Sequence, residues 1–428
     1  MLEYGMKKTS LVLSCAIILV FSSLVLGGGS KPKPKPKPKP KPPVSKNVNE
    51  LNLLSYNIGL AHGYVPYAEA RLPKLASELK KSDADILCLQ EVWKQEDMAT
   101  IKNALKAKYP YSISAPIKQH YRKTGWFSGP ACRVRDLFGD NKFVSCILTT
   151  CSGKSGEEKS RCINNDCRPA LESLVTANRN CAESLMASVG ENEVKAILKL
   201  TNPFKMAARF SYGGAVGTMI FSKFPFNKNG YIDMANKATL TNRGALYASV
   251  SVNGQEHFVG CTHLTANLIV SAPYANDPPY TKGDVKFENG WENENYFQMG
   301  KMLDEFKKMA AGKPTYLMGD FNCSIKDMSH GIYADFEPSC KMVLNRGYSD
   351  PYADQNPQCT FCHNNTLLED SSEDEMLLDH IYMKNVSQLS AVTSSIKYIN
   401  TYSISAEGKT FDSHLSDHYG VQVKVPLR

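Results

Sequence analysis

The chain has 428 residues, 42% apolar and 21% charged, ordinary globular proportions that exclude a wholly disordered, collagen-like or polytopic membrane protein. That length holds two or three domains, or one large α/β core with insertions. The net charge of +8 is not spread evenly: nine of the 50 basic residues but one of the 42 acidic residues lie in positions 1–46, and the remainder, with 41 of each, is neutral. A bulk attraction to polyanions therefore belongs to the leader and not to the folded part.

Lys7 and Lys8 precede an apolar run from Leu11 to Leu26 broken only by serines, and Gly27, Gly28, Gly29 and Ser30 follow. This order predicts a secretory signal over residues 1–29, with an uncleaved signal anchor as the alternative; the run is short of the ~20 residues that span a bilayer. Residues 30–46 form a linker in which Lys and Pro alternate from Lys31 to Pro43. Such a run favours an extended polyproline II rod of roughly 40 Å, either a solvated spacer or a tether resting on anionic lipid or cell-wall polymer. Secretion or extracytoplasmic display follows, and loss of Cys15 with the signal leaves twelve of the thirteen cysteines, an even number suited to disulfides. Asn364 with Thr366 and Asn385 with Ser387 match glycosylation sequons.

The folded part, residues 47–428, opens with a buried strand from Leu51 to Tyr56. A helix follows, carrying Leu72, Leu75, Ala76 and Leu79, and then a second apolar strand from Asp85 to Leu89. Further strands are predicted at Val216–Phe221, Ala245–Val252, His257–Cys261, Thr315–Met318, Leu377–Met383 and Tyr419–Val425. A long helix from Trp291 to Ala310 carries Met299, Met302, Leu303, Phe306 and Met309 on one stripe, which reads as core packing. Strands interleaved with helices indicate sheets covered by helices.

Residues 119–212 break the pattern and read as a cysteine-rich, partly helical insert. Its cysteines, at 132, 146, 151, 162, 167 and 181, are separated by 14, 5, 11, 5 and 14 residues. The symmetry predicts nested pairing, Cys132 with Cys181, Cys146 with Cys167 and Cys151 with Cys162, around a polar tip at Ser152–Arg161. It is one of the 15 connectivities that six cysteines permit. Cys88, Cys261 and Cys323 lie in or just after apolar strands and read as free buried thiols. Cys359-Thr-Phe-Cys362-His363 fits a haem-attachment pattern, but in this context reads as disulfide-forming, with Cys340 as a candidate partner. The acidic run Glu369, Asp370, Glu373, Asp374 and Glu375 reads as a solvated loop ahead of a secondary calcium site.

Polar residues at the ends of apolar strands carry the chemistry, because a strand delivers them with little freedom. They are Asn57, Glu91, His263, Asp320, Asn322, Asp379, Asp417 and His418. Singly, each reads as a cap or turn former. Together they supply oxygen ligands for a hard divalent cation, two imidazoles and amides for a phosphate oxygen, which points to Mg2+-assisted hydrolysis of a phosphate ester.

The stretches Leu54-Ser-Tyr-Asn57, Leu89-Gln-Glu-Val-Trp93, Thr262-His-Leu264, Gly319-Asp-Phe-Asn322, Leu378-Asp-His-Ile381 and Ser416-Asp-His418 occur in the order of the endonuclease/exonuclease/phosphatase superfamily, which the chain resembles from about residue 51 to 428 outside the insert. Gln90-Glu-Val-Trp93, His263-Leu-Thr-Ala266 and the acidic, glutamine-containing helix after Trp291 look most like neutral sphingomyelinases. The resemblance implies a four-layer αββα sandwich. It also implies roles: Glu91 as principal Mg2+ ligand with Asn57 beside it and Asp417 on the metal side, Mn2+ or Co2+ serving as substitutes. His418 is then the base that activates water and Asp379 holds it in its tautomer. Asp320 and Asn322 position nucleophile and phosphate, and His263 stabilises the transition state or assists the leaving group.

Hydrolysis of sphingomyelin to ceramide and phosphocholine is the leading expectation, which requires contact with a membrane surface; Trp126 and Phe127 are the candidate contacts, with packing of the insert as their plain alternative. A secreted deoxyribonuclease acting on nucleic acid is the second reading, and a non-catalytic surface-binding protein the third. A monomer is expected.

Overall fold

The computed structural model describes residues 48–427 apart from 122–128, 140–141, 155, 189–192, 269–273, 275–277, 279, 281–284, 356 and 369–373. The leader, the Lys-Pro linker, Trp126, Phe127, Glu369, Asp370 and Glu373 lie outside the described residues.

The chain begins with β1 (Glu50–Asn57), α1 (Ala68–Lys81), β2 (Ile86–Gln90), α2 (Gln95–Leu105) and β3 (Tyr111–Ser114). The cysteine-rich segment is helical: α3 (Val134–Leu137), α4 (Phe143–Thr149), α5 (Gly156–Asn165), α6 (Arg168–Met186) and α7 (Glu193–Leu200). Then come β4 (Met219–Ser222), β5 (Phe226–Asp233), β6 (Gly244–Val252), β7 (Gln255–His263), α8 (Gly290–Ala310), β8 (Thr315–Asp320), α9 (Glu337–Asn345) and α10 (Pro351–Gln355). The last strands are β9 (Asp379–Lys384), β10 (Thr393–Lys397), β11 (Tyr402–Ala406), β12 (Lys409–Ser413) and β13 (Gly420–Pro426).

Among the described residues the strands form a six-stranded sheet ordered β10-β13-β1-β2-β4-β3, a five-stranded sheet ordered β5-β6-β7-β8-β9 and a separate β11-β12 hairpin. The strand period of two explains the layers. Leu51 and Leu53 of β1 pack with Val250, Val259, Met318 and Ile381 of the other sheet, whereas Leu54 and Tyr56 pack with Leu75 and Leu79 of α1. In β8, Tyr316 and Met318 face the first sheet while Leu317 meets Met299, Met302 and Phe306 of α8, so the methionine stripe is core packing. The result is the four-layer αββα sandwich, each fully buried aliphatic side chain contributing roughly 1.5–3 kcal/mol of burial.

Six disulfides occur among the described residues. The helical segment carries the nested set, Cys132–Cys181, Cys146–Cys167 and Cys151–Cys162, closing a separate small core around Leu137, Val144 and Leu174. Elsewhere the structure corrects the sequence reading. Cys88 of β2 and Cys261 of β7 are not free thiols but a bridge between the two sheets, and Cys323 pairs with Cys340. Cys359 and Cys362 pair with each other instead of with Cys340. Residues 173 positions apart meet here because their strands lie in facing sheets, which no local spacing records. Among the described residues no helix is long and apolar enough to cross a membrane.

Candidate active site

Strand direction gathers the site. β1 and β2 run parallel, as do β7 and β8, so Asn57, Gln90, His263 and Asp320 all sit at C-terminal strand ends. β9 and β13 run antiparallel to these neighbours, which puts their starts at the same rim: Asp379 lies in register with Asp320, itself in register with His263, and His418 immediately precedes β13. The sequence-predicted residues Asn57, Glu91, His263, Asp320, Asn322, Asp379, Asp417 and His418 are therefore brought to one rim of the sandwich. Asp379 is the first residue of its strand, two positions later than the predicted start at Leu377.

Glu91 and Asn322, which follow strands, both have left-handed backbones, with φ of 60° and 48°. This conformation costs a non-glycine residue about 1–2 kcal/mol and turns each side chain sharply back over the strand ends. Asn322 is fixed by donating through Nδ2 to the Leu264 carbonyl at 3.0 Å, while its backbone N–H donates to Asp320 Oδ1 at 2.8 Å. Asn57 donates through Nδ2 to Asp320 Oδ2 at 2.9 Å and accepts the Gly59 N–H at Oδ1, leaving that oxygen one further lone pair. Gly59 has φ of 55°, and a Cβ there would fall 2.5 Å from Asp417 Oδ1 and 2.8 Å from Ser416 Oγ, so only glycine lets the β1 end lie against Asp417.

The carboxylates are crowded. Burial, then the charge of Asp417 and of Asp320, pushes Glu91 up to about 7 against the opposing pull of His418 and Arg243. Asp320 is raised to about 6, first by burial and then by Asp379, although His418 and Asn57 oppose this. Glu91 Oε2 and Asp379 Oδ1 are buried with no hydrogen-bond partner. An oxygen-lined cluster with orphaned carboxylate atoms fits a hard divalent cation, which Glu91, Asn57 and Asp417 would hold, and Asp320, Asp379 and His418 beside them have metal-like proximity. A second grouping, Cys323, Cys340 and His380, has metal-like proximity, but its thiols are spent in the disulfide and His380 is bound to Asp350 at 2.6 Å.

The two histidines differ in state. His418 Nδ1 donates to Asp379 Oδ2 at 2.8 Å, and its Nε2 faces Asp320 Oδ2 at 3.9 Å. Burial by itself would lower its pKa; Asp379 and Asp320 overcome that and raise it well above the ordinary value. His263 is lowered well below it by burial, with Arg243 and His418 adding to the effect, and stands as a neutral imidazole with Nε2 at 3.4 Å from Asp320 Oδ2. The carboxylates around His418 thus favour its protonated form, whereas burial holds His263 neutral.

Several contributors escaped sequence reading. Arg243, at the entrance to β6, lies over the Trp93 ring and donates to the His263 carbonyl; burial pulls it down to about 10, so it stays cationic. Trp93 stacks on Tyr212 at 5.3 Å and lies 5.8 Å from the His263 ring. Arg71 of α1, fully buried, donates to the carbonyls of Ile58, Gly59, Pro66 and Leu415, tying the β1 end to the segment before Asp417. Asn295 of α8 donates to the Thr265 and Phe321 carbonyls, and Gln298 accepts the Thr265 N–H, which locks the segment after His263 to the one after Asp320. Trp93 was marked by the Gln90–Trp93 motif and Asn295 and Gln298 by polarity on an otherwise apolar helix, whereas Arg71 and Arg243 carried no such signal.

Glu294 belongs to the same lock, accepting from the Thr239 N–H, the Thr265 hydroxyl and the Tyr274 hydroxyl. Burial raises it from 4.5 to about 7 despite those donors. The native state then holds a proton that the unfolded chain has released, so this group's contribution to stability falls as pH rises from 4.5 to about 7. Glu294→Gln is expected to flatten the dependence: urea unfolding at pH 5 and pH 8 should show the wild type losing about 3 kcal/mol more than the variant over that interval. Parallel losses in the two proteins would contradict the assignment.

Fold and rim together define a metal-dependent phosphoester hydrolase: two packed sheets with acids, amides and a histidine–aspartate pair at one set of strand ends. The model of the endonuclease/exonuclease/phosphatase family matches residues 54–418, and the chain belongs to that family. No curated protein sequence matches it. Among solved structures, SmcL aligns at a TM-score of 0.50 and 14% identity over 88% of this chain and 99% of that one. Sphingomyelinase C from Streptomyces griseocarneus gives 0.49 and 14% over 88% and 100%. TDP2 from Caenorhabditis elegans gives 0.45 and 16% over 88% and 74%. At these identities the likeness is one of fold.

Proposed function

We propose that the protein is an exported Mg2+-dependent phosphodiesterase of the phospholipase C type that hydrolyses sphingomyelin to ceramide and phosphocholine, with Mn2+ or Co2+ as substitutes. The observation that carries hydrolysis is the convergence of Glu91, Asp320 and Asp417 beside an Asp379–His418 pair. The sphingomyelin reading is supported by the two motif blocks of the neutral sphingomyelinases lying in one unit here: Trp93 beside His263, and the His263–Ala266 segment gripped by Glu294, Asn295 and Gln298 of the helix after Trp291. A folded part with equal numbers of acids and bases offers no bulk attraction for a nucleic-acid polyanion. Export is supported by pairing of all twelve cysteines from Cys88 to Cys362. The Lys-Pro linker then serves as a spacer between leader and enzyme, and the enzyme works as a monomer.

In this reading Glu91, Asn57 and Asp417 would hold a divalent cation, which would supply Lewis-acid charge to the phosphate ester. His418 takes the proton of the attacking water at Nε2, while Asp379 fixes the tautomer through Nδ1 and stabilises the imidazolium that forms. As the water oxygen bonds to phosphorus the bond from phosphorus to the ceramide oxygen breaks, and that oxygen takes a proton from solvent, balancing the one that His418 has taken and then releases. His263 and Asn322 donate to the phosphoryl oxygens, and Asp320 orients Asn57, His263 and the attacking water. Trp126 and Phe127 remain the candidate membrane contacts.

Phosphocholine release from sphingomyelin vesicles with Mg2+, set against nicking of plasmid DNA, tests the substrate. Release without nicking is the expected result. Nicking without release would replace the lipid reading with a deoxyribonuclease, and neither activity would favour a binding protein.

A further inference from the structure

The Cys359-Thr-Phe-Cys362 segment takes no part in the chemistry above, yet it lies directly against the groups that do. Thr360 is fully buried. Its Oγ1 accepts the backbone N–H of Leu378 at 3.0 Å and of Asp379 at 3.1 Å, while its carbonyl accepts the N–H of Tyr419 at 2.7 Å. One residue thus bonds the backbone at Asp379 and the backbone next to His418. Phe361 pairs in isolated bridges with Met376 and with His418, and its ring centroid is 5.2 Å from the imidazole. The chain continues as a strap over the same segment: Asn365 Nδ2 donates to the Ser416 carbonyl at 2.9 Å, and Thr366 Oγ1 accepts the His414 N–H at 2.8 Å.

We propose that Thr360 is a positioning residue for the Asp379–His418 pair, and that the Cys359–Cys362 disulfide holds it in place. The hydroxyl is the acceptor for two buried N–H groups at once, and without it the backbone carrying Asp379 must shift or leave them unsatisfied. Serine retains that acceptor; valine has threonine's shape and lacks it. The disulfide closes a loop of sequence separation three, so it withdraws little entropy from the unfolded chain, and its effect falls on the native turn that aims Thr360 and Phe361. The inference rests on the phosphodiesterase reading for its kinetic consequence, though not for its structural one.

The test compares wild type, Thr360→Val, Thr360→Ser and the double variant Cys359→Ser/Cys362→Ser. Each is assayed on sphingomyelin vesicles and on bis(p-nitrophenyl) phosphate, with site-resolved amide exchange measured in parallel. Thr360→Val is expected to lower kcat about 30-fold with KM within about 2-fold, because alignment is lost and binding is not. Exchange at Leu378 and Asp379 should rise about 10-fold or more in that variant. Thr360→Ser should stay within about 3-fold of wild type by both measures, and the double cysteine variant should fall between serine and valine. An unchanged kcat in Thr360→Val, or equal damage from serine and valine, overturns the role of the hydroxyl. If Thr360→Val does not fold, the double cysteine variant decides: kcat and exchange at Asp379 both matching wild type overturn the proposal. A wild type inactive on both substrates refutes the phosphodiesterase reading, and exchange at Leu378 and Asp379 still judges Thr360.

Discussion

Replacing His418 with alanine is expected to lower kcat by about 10^3- to 10^4-fold while leaving the protein folded. The imidazole is the group at the rim placed to take a proton from water, because Asp379 at 2.8 Å holds its Nδ1 and leaves Nε2 for the water. His418 precedes β13 instead of lying inside a strand, and its removal deletes ring contacts with Phe361 without unpairing the sheet. Circular dichroism should therefore remain near wild type, while the unfolding midpoint falls, because Asp379 and Asp320 stay buried without their partner. Asp379→Asn should cost somewhat less, and the double variant should be no slower than His418→Ala alone, since the pair acts as a unit. Additive losses would mean that Asp379 has a separate task, and a kcat within about 10-fold of wild type for His418→Ala would remove the base from the mechanism.

How much of this was legible beforehand follows from where each residue sits. Asn57, Glu91, His263, Asp320 and Asp379 stand at the boundary of apolar strands, so a change in residue type marks them; the parallel pairs β1–β2 and β7–β8 bring their ends to the rim where antiparallel β9 begins. The buried strands β1, β2, β4, β6, β7, β8, β9 and β13 were legible for the same reason. β3, β5, β10, β11 and β12 were not, because they are partly exposed and carry Ser, Asn, Lys and Thr where a core strand would carry Val or Leu. Arg71 and Arg243 are invisible to pattern reading because their partners are backbone carbonyls distant in sequence. The disulfides divide on the same principle: the nested helical set advertises itself by symmetric spacing, whereas Cys88–Cys261 depends on two sheets facing each other.

Glu91→Gln should raise the Mg2+ concentration needed for half-maximal activity by more than about 10-fold and lower kcat at saturation, and chelation should silence the wild type altogether. The electrostatics give this prediction a second readout that needs no turnover. Without a cation Glu91 sits among Asp320 and Asp417 and is raised from 4.5 to about 7, so in the metal-free native state it gains a proton the unfolded chain lacks and contributes least to stability above about pH 7. The neutral amide relieves that repulsion. At pH 8 the metal-free variant should then unfold at a higher denaturant concentration than the metal-free wild type, while gaining far less from added Mg2+. The wild type should gain about 2.7 kcal/mol at one hundred times its dissociation constant, the linkage expected of a ligand bound only by the native state. The crossing of the two effects is the diagnostic part: a site built for a cation is destabilising when empty, and removing its principal carboxylate must help the empty protein and harm the loaded one. Calorimetric titration showing equal Mg2+ affinity in wild type and Glu91→Gln would move the ion away from Glu91 and leave the crowding of these acids without a purpose.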